Sequence, residues 1–306
     1  MISGNRPTGA FLVDKTATGL ITAVSAFAIA IIFLILFFTF REAKDVLFSE
    51  EVRNDVWPTL LGFNWQPVSD QPKYGLLPLF IGTIKTTIIA MFIALPIGIL
   101  AAIYTSCFAP NNVREVVKPV VELLAGFPSV VIGFFALVTI ASWVQSVFGA
   151  QSRLNAFVGG IAISLTAIPI IFTISEEALS AIPHSMKEAS YGLGATSWET
   201  TFYVVLPAAY PGIFAGGLLG LGRAFGETLI VLMATGNATI SSFSFFDSTR
   251  TLTATIGAEM AEVVFGDPHY NVLFLIGTFL FVFAFIINLV AEFYVKERLM
   301  KRLKGD

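Results

Sequence analysis

Six long apolar runs dominate the chain, separated by short polar segments. They are Gly19 to Phe40, Leu76 to Phe108, Pro119 to Phe148, Phe157 to Ile182, Ala208 to Gly236 and Asn271 to Val295. Each exceeds what a core strand or helix of a water-soluble domain needs. Each is long enough to cross ~30 Å of hydrocarbon at ~1.5 Å per residue as a helix. Pro96 and Pro169 fall inside the second and fourth runs, so kinks are expected there. Pro128, in GFPSVVIGF (Gly126 to Phe134), predicts a break in the third; such a break at membrane depth needs protein or a wet cavity to satisfy the freed carbonyls.

The polar segments divide the rest. Residues 1 to 18 hold Arg6, Asp14 and Lys15, and no small-residue cleavage site follows the first run, which reads as a retained helix. Residues 41 to 74, with Trp57, Pro58, Trp65, Pro67 and Pro72, suit an ordered loop near the headgroups. Residues 109 to 118 form a short link carrying Arg114 and Lys118, and Gln151 to Arg153 another. Between Asn237 and Tyr270, Glu259 and Glu262 are expected as solvated carboxylates on a short outward amphipathic helix. The division is therefore 1–75 (tail, first helix, outer loop), 76–295 (the transmembrane core) and 296–306 (a basic tail).

Lys296, Arg298, Lys301, Arg302 and Lys304 crowd the end of the last run and mark that side as cytoplasmic. With six spans both termini share it, together with the Arg114/Lys118 link and the segment from Pro183. Composition agrees: 56% of residues are hydrophobic and 13% charged, about half the charge of a soluble domain. The net charge of −3 comes with no basic patch for nucleic acid. Cys107 stands alone, which excludes an intrachain disulfide and a cysteine metal cluster. His184 and His269 are far apart and outside any HExxH pattern, so no metal site is expected.

Two stretches carry candidate chemistry. The first is the interruption PHSMKEASYGLGATSWETTFYVVLP, with Gly192 and Gly194 at its centre, where glycine permits a sharp turn between two short helices. The second is the pair Arg223 and Glu227 inside the fifth run, where each ionisable group costs on the order of 2.5–3.5 kcal/mol. Four residues apart, their side chains sit ~40° apart on a helix, close enough to pair. Gly212, Gly216 and Gly220 fall on the same face and let a neighbouring helix approach. The pair is either a salt bridge fixing helix rotation or a source of positive potential on an anion path, since the arginine fork suits oxyanions. Lys85, in GTIKTT, either snorkels to the outer interface or lines the path, and Ser129 is a further path candidate.

The interruption fits the spacing E-A-A-x3-G-x9-I-x-L-P through Glu188, Ala189, Ser190, Gly194, Val204, Leu206 and Pro207, with Ser190 for alanine and Val204 for isoleucine. This resembles the loop by which permeases of the type I ABC-importer family dock on a separate ATPase subunit. VKPVVELLAGFPSVVIGFF (117 to 135), LGLGRAFGETLIVL (219 to 232) and LTATIGAEMAE (252 to 262) narrow the resemblance to the phosphate-transporter permeases, the PstC family. It implies an all-α, six-helix membrane fold with cytoplasmic coupling helices in a prokaryotic cell membrane. The implied partners are a PstA-like second permease, a PstB-like ATPase dimer and a PstS-like phosphate-binding protein. It also ties Arg223 and Glu227 to phosphate movement. The chain has no G-x4-G-K-S/T motif, so no cofactor is expected on it and ATP would be used by a partner. A permease for molybdate, sulfate or another small solute is the nearest alternative. An ion-driven transporter lacks the expected inverted repeat, and a membrane-embedded enzyme lacks any Ser/His/Asp, HExxH or paired-aspartate motif.

Overall fold

The structure is a computed structural model that describes the backbone of residues 8–304 and the side chains of residues 16–293, except at position 51. The side chains of Arg6, Asp14 and Lys15, and of the basic cluster Lys296 to Lys304, lie outside the described residues. Six helical segments there are long and apolar enough to cross a membrane.

Helix α1 (Thr8–Phe48) and the last helix, α13 (Pro268–Lys304), pack together at the periphery, where the rings of Phe38 and Phe274 meet edge to face at 5.8 Å. The expected outer loop is mostly helical: α1 runs on to Phe48, α2 (Glu50–Leu60) follows, and β1 (Trp65–Gln66) pairs antiparallel with β2 (Lys73–Tyr74). Helix α3 (Leu77–Ile103) then ends in a π turn at Tyr104–Phe108.

The third span is shorter than expected. Residues 111–125 form a separate amphipathic helix, α4 (Asn111–Ala125), and Gly126–Pro128 breaks the chain before α5 (Ser129–Phe135). A π turn at Ala136–Ile140 carries the span into α6 (Ala141–Phe148). Proline at 128 fits the break, because its fixed φ and missing N–H favour the start of a new helix over continuation of the old one. Helix α7 (Ala156–Ser180) is the fourth span; the Asn155 side chain caps it by accepting from the Val158 N–H at 3.0 Å.

Helices α8 (His184–Gly192) and α9 (Ser197–Thr200) form the interruption. The fifth span starts earlier than expected: α9 continues through a π turn, Thr201–Val205, into α10 (Leu206–Phe225). Pro207 has no N–H to close the ladder there, and the ladder widens. The span then breaks at Gly226–Thr228 and resumes as α11 (Leu229–Ala234). Helix α12 (Leu252–Glu259) is not the expected surface helix. Leu252, Thr253, Ala254 and Thr255 are all buried.

Helix α7 is the centre, packed against α3 and α10. The glycine stripe on α10 makes this contact: Gly212 faces Ala178, Gly216 faces Ile174 and Ser175, and Gly220 faces Ile171. Between helices in lipid, where no hydrophobic effect drives association, such close backbone approach supplies the attraction. Three apolar clusters stack along the bundle. One lies at mid-depth around Ile163, Ile230 and Val231; one, around Phe172, Leu179 and Val205, sits beside the α8–α9 loop; the third, around Trp65, Tyr74, Leu252 and Val272, is at the opposite end.

Candidate functional site: a loop hairpin and a charged pair

The α8–α9 hairpin is built to hold its shape. Gly194 takes φ +87, in the left-handed region that favours glycine, while Gly192 needs no such conformation. Thr196 caps α9 by accepting from the Glu199 N–H, and the Glu199 carboxylate accepts from the Thr196 N–H at 2.8 Å, a reciprocal capping box. Ser190 and Thr200 share a hydroxyl hydrogen bond of 2.9 Å, joining the two helices. Serine at the motif's second alanine position therefore adds a cross-link. Glu188 and Ala189 are exposed, and so are Met186, Tyr191, Leu193 and Trp198; Leu193 is 91% exposed. The polar hairpin thus exposes four large apolar side chains. The last motif positions, Val204, Leu206 and Pro207, are already inside the membrane-spanning helical run.

Arg223 and Glu227 do pair, but not along one helix. Arg223 is in the last turn of α10, and Glu227 lies in the break beyond it. The Arg223 Nη1 stands 3.2 Å from the Glu227 Oε2, with the arginine side chain 44% exposed and the glutamate 3%. That buried oxygen has no hydrogen-bond partner, and the other only faces the Ile230 N–H at 3.5 Å. The Glu227 carbonyl accepts from Thr253 at 2.7 Å, which ties the break to α12. Ser129 heads α5, the helix that packs on α11: Gly133 lets Met233 and Ile230 come within contact distance. The two breaks thus begin two helices that lie together.

Lys85 neither snorkels nor faces an open path. It is 4% exposed and donates to the Ser242 and Ser244 carbonyls at 2.9 and 2.8 Å, fastening the 237–251 segment to α3. Inward placement won because two carbonyls were in reach to replace its water.

Two clusters escaped the sequence reading. Glu176, on α7 and 3% exposed, pairs with Arg114 Nη2 at 2.7 Å and Lys118 Nζ at 2.6 Å. An ionisable residue within an apolar run was the available signal, the same that singled out Arg223 and Glu227. At the opposite end Glu259, expected as solvated, instead accepts from the Trp65 indole at 3.1 Å, pairs with Arg250, and meets His269 at 2.9 Å. Burial pushes its carboxyl up, but hydrogen bonds to His269 and Trp65 and the charge of Arg250 reverse this and hold it below the usual range. Among the described residues no group of three or more His, Cys, Asp or Glu side chains is placed to hold a metal ion.

Residues 94–299 match the family described as the binding-protein-dependent transport system inner membrane component. The chain is 38% identical to the probable ABC transporter permease protein YqgH of Bacillus subtilis over 78% of this chain and 77% of that one. It is 35% identical to the phosphate transport system permease protein PstC of Mesorhizobium japonicum, covering 75% of each. Among solved structures, a bacterial ABC transporter that imports the acidic polysaccharide alginate superposes with TM-score 0.62 at 14% identity, over 94% of this chain and 99% of that one. The MetNI methionine transporter gives 0.52 at 19%, over 73% and 94%. The fold is that of the type I ABC-importer permeases, and a multi-pass inner-membrane protein follows from it. By sequence and by architecture, this chain belongs to the family of binding-protein-dependent transport system inner membrane components.

Proposed function

We propose that the chain is a channel subunit of an ATP-driven importer of inorganic phosphate. The observation that carries this is the unequal Arg223–Glu227 pair. A half-open guanidinium at the end of a membrane-spanning helix has donors left for an oxyanion, while the buried carboxylate beside it limits how tightly that anion is held. Relatives named as phosphate permeases support the choice of anion. Ser129 joins the path in this reading, as the head of the helix lying on α11. Lys85 acts on it indirectly, by fixing the outer segment.

The 183–207 region and both termini face the cytoplasm, and the exposed hairpin of Glu188, Ala189, Ser190 and Gly194 docks on a PstB-like ATPase dimer. Leu206 and Pro207 carry that contact into α10. A PstA-like permease completes the channel, and a PstS-like protein delivers phosphate from outside. ATP is consumed on the ATPase subunits, because this chain has no phosphate-cradling loop. Closure of those subunits moves the hairpin as a stiff lever, and alternating access at Arg223 follows. Radiolabelled phosphate uptake in cells making all the subunits tests this, with molybdate and sulfate as competitors. Uptake resisting both competitors is expected; uptake suppressed by molybdate or sulfate at equal concentration would reassign the solute.

A further inference from the structure

Helix α4 is weakly seated. None of its residues is buried, and Val116, Val120 and Leu123 are exposed; only Val117 and Val121 lean on the apolar cluster beside the loop. Its polar anchor is Glu176, which takes both Arg114 and Lys118. The anchor sits where three helix ends meet. Ser180, the last residue of α7, donates to Glu176 Oε1 at 2.7 Å and accepts from Arg114 Nη2 at 2.8 Å. Its hydroxyl also meets that of Ser106, in the turn that ends α3, at 3.2 Å.

We propose that Glu176 is a positioning residue for transport, tying α4, and through it the broken third span, to the foot of the α8–α9 lever. The linkage is continuous. Helix α8 begins at His184, just past Ser180, and α4 passes through Gly126–Pro128 into α5. Helix α5 packs on α11 through Gly133, and α11 starts two residues after Glu227. A displacement of the hairpin therefore has a solid route to the charged pair. Releasing the clamp has a cost: a buried carboxylate stripped of its cations must be rewetted, which disfavours half-open positions.

This rests on the reading of the hairpin as a lever, and the test separates the two. The complete transporter, with its partner subunits, is placed in liposomes, and inorganic phosphate uptake and ATP hydrolysis are measured together. Cys107, the single cysteine, lies in the turn against which α4 packs, so its alkylation, read by mass spectrometry of its peptide, reports on α4. For Glu176→Gln, hydrolysis should persist while phosphate moved per ATP falls about tenfold, and Cys107 should label faster. Glu176→Lys combined with Arg114→Glu and Lys118→Glu should recover part of the ratio. An unchanged ratio in Glu176→Gln, or uptake and hydrolysis lost in parallel, overturns the proposal. Should that variant fail to assemble, Lys118→Gln carries the test, and a wild-type ratio there makes the clamp merely structural. A wild-type assembly that hydrolyses ATP without moving phosphate sinks the transport reading instead. The clamp is then judged by whether nucleotide-dependent Cys107 labelling is lost in Glu176→Gln.

Discussion

Glu176 and Glu227 are buried to the same extent, each 3% exposed, and each faces arginine. Their surroundings differ. Glu176 has two cations and a serine hydroxyl within 2.8 Å, so both its oxygens are satisfied. Glu227 has one half-exposed arginine at 3.2 Å and a buried oxygen without a hydrogen bond. A carboxylate kept in a dry site with its needs met is a fastening. One kept there with fewer partners adds less to stability, and ionisable groups within a membrane are by default candidates for function. Burial alone does not separate the two roles; the count of partners does.

The widest gap should come from Arg223→Gln, which is expected to lower phosphate uptake about a hundredfold, the scale of losing one donor that stabilises a negative charge. The complex should still assemble, as judged by co-purification of the ATPase. Flux persisting in that variant would make the mid-span pair a structural salt bridge and take it off the anion path. Next in size are changes at the hairpin. Gly194→Val forces a β-branched side chain into φ +87, and Glu188→Lys reverses a charge on the exposed face. Both should cut uptake about tenfold with membrane insertion intact; normal uptake by both would remove the docking reading.

Stability sharpens the contrast further. Glu176→Gln should cost about 1–2 kcal/mol, less than the 3–5 of a fully buried pair, because Arg114 and Lys118 are 36% and 37% exposed and solvent screens them. Glu227→Gln should cost under about 1 kcal/mol, since its carboxylate is poorly partnered and Arg223 can be hydrated. Thermal unfolding of the assembled complex would show the order, and equal losses would erase the distinction. The smallest effect is the response of Glu259 to acid. Its carboxyl is held below the usual range when folded, so its contribution is complete above pH ~4.3 and fades as pH falls through the lower folded value. Trp65 fluorescence should follow that fading, and Glu259→Gln should abolish the pH dependence.

The apolar runs located all six spans, and the second, fourth and sixth came within a few residues of the spans Leu77–Phe108, Ala156–Ser180 and Pro268–Phe293. They matched because those ladders carry nothing more disruptive than a tolerated proline, in α3 and α7, and a π turn at the end of α3. The third run extends too far and the fifth reads as one piece: the Pro119–Ala125 end of α4 is apolar enough to merge with its neighbour, and the Gly226–Thr228 break is too short to divide a run in any count of hydrophobic positions. The hairpin was legible through its spacing, and the glycine stripe through its period. Lys85 and Glu259 were not, because exposure of a lone charge depends on which distant carbonyls and cations come within reach.

What the sequence determined by itself was the solvent. Runs of apolar residues this long belong in lipid, and lipid requires helices whose backbone bonds close internally. It also determined that Arg223 and Glu227 would meet, because four residues of helix or tight break bring them together. Only the tertiary structure decided how each charge is housed: Glu176 between the cations of α4, Lys85 under the carbonyls of a segment 157 residues away, Glu227 in a break whose backbone carbonyl is tied to Thr253. Such partners come from parts of the chain that periodicity cannot connect. The cost of burying a charge is settled by whichever groups the packing brings within hydrogen-bond reach.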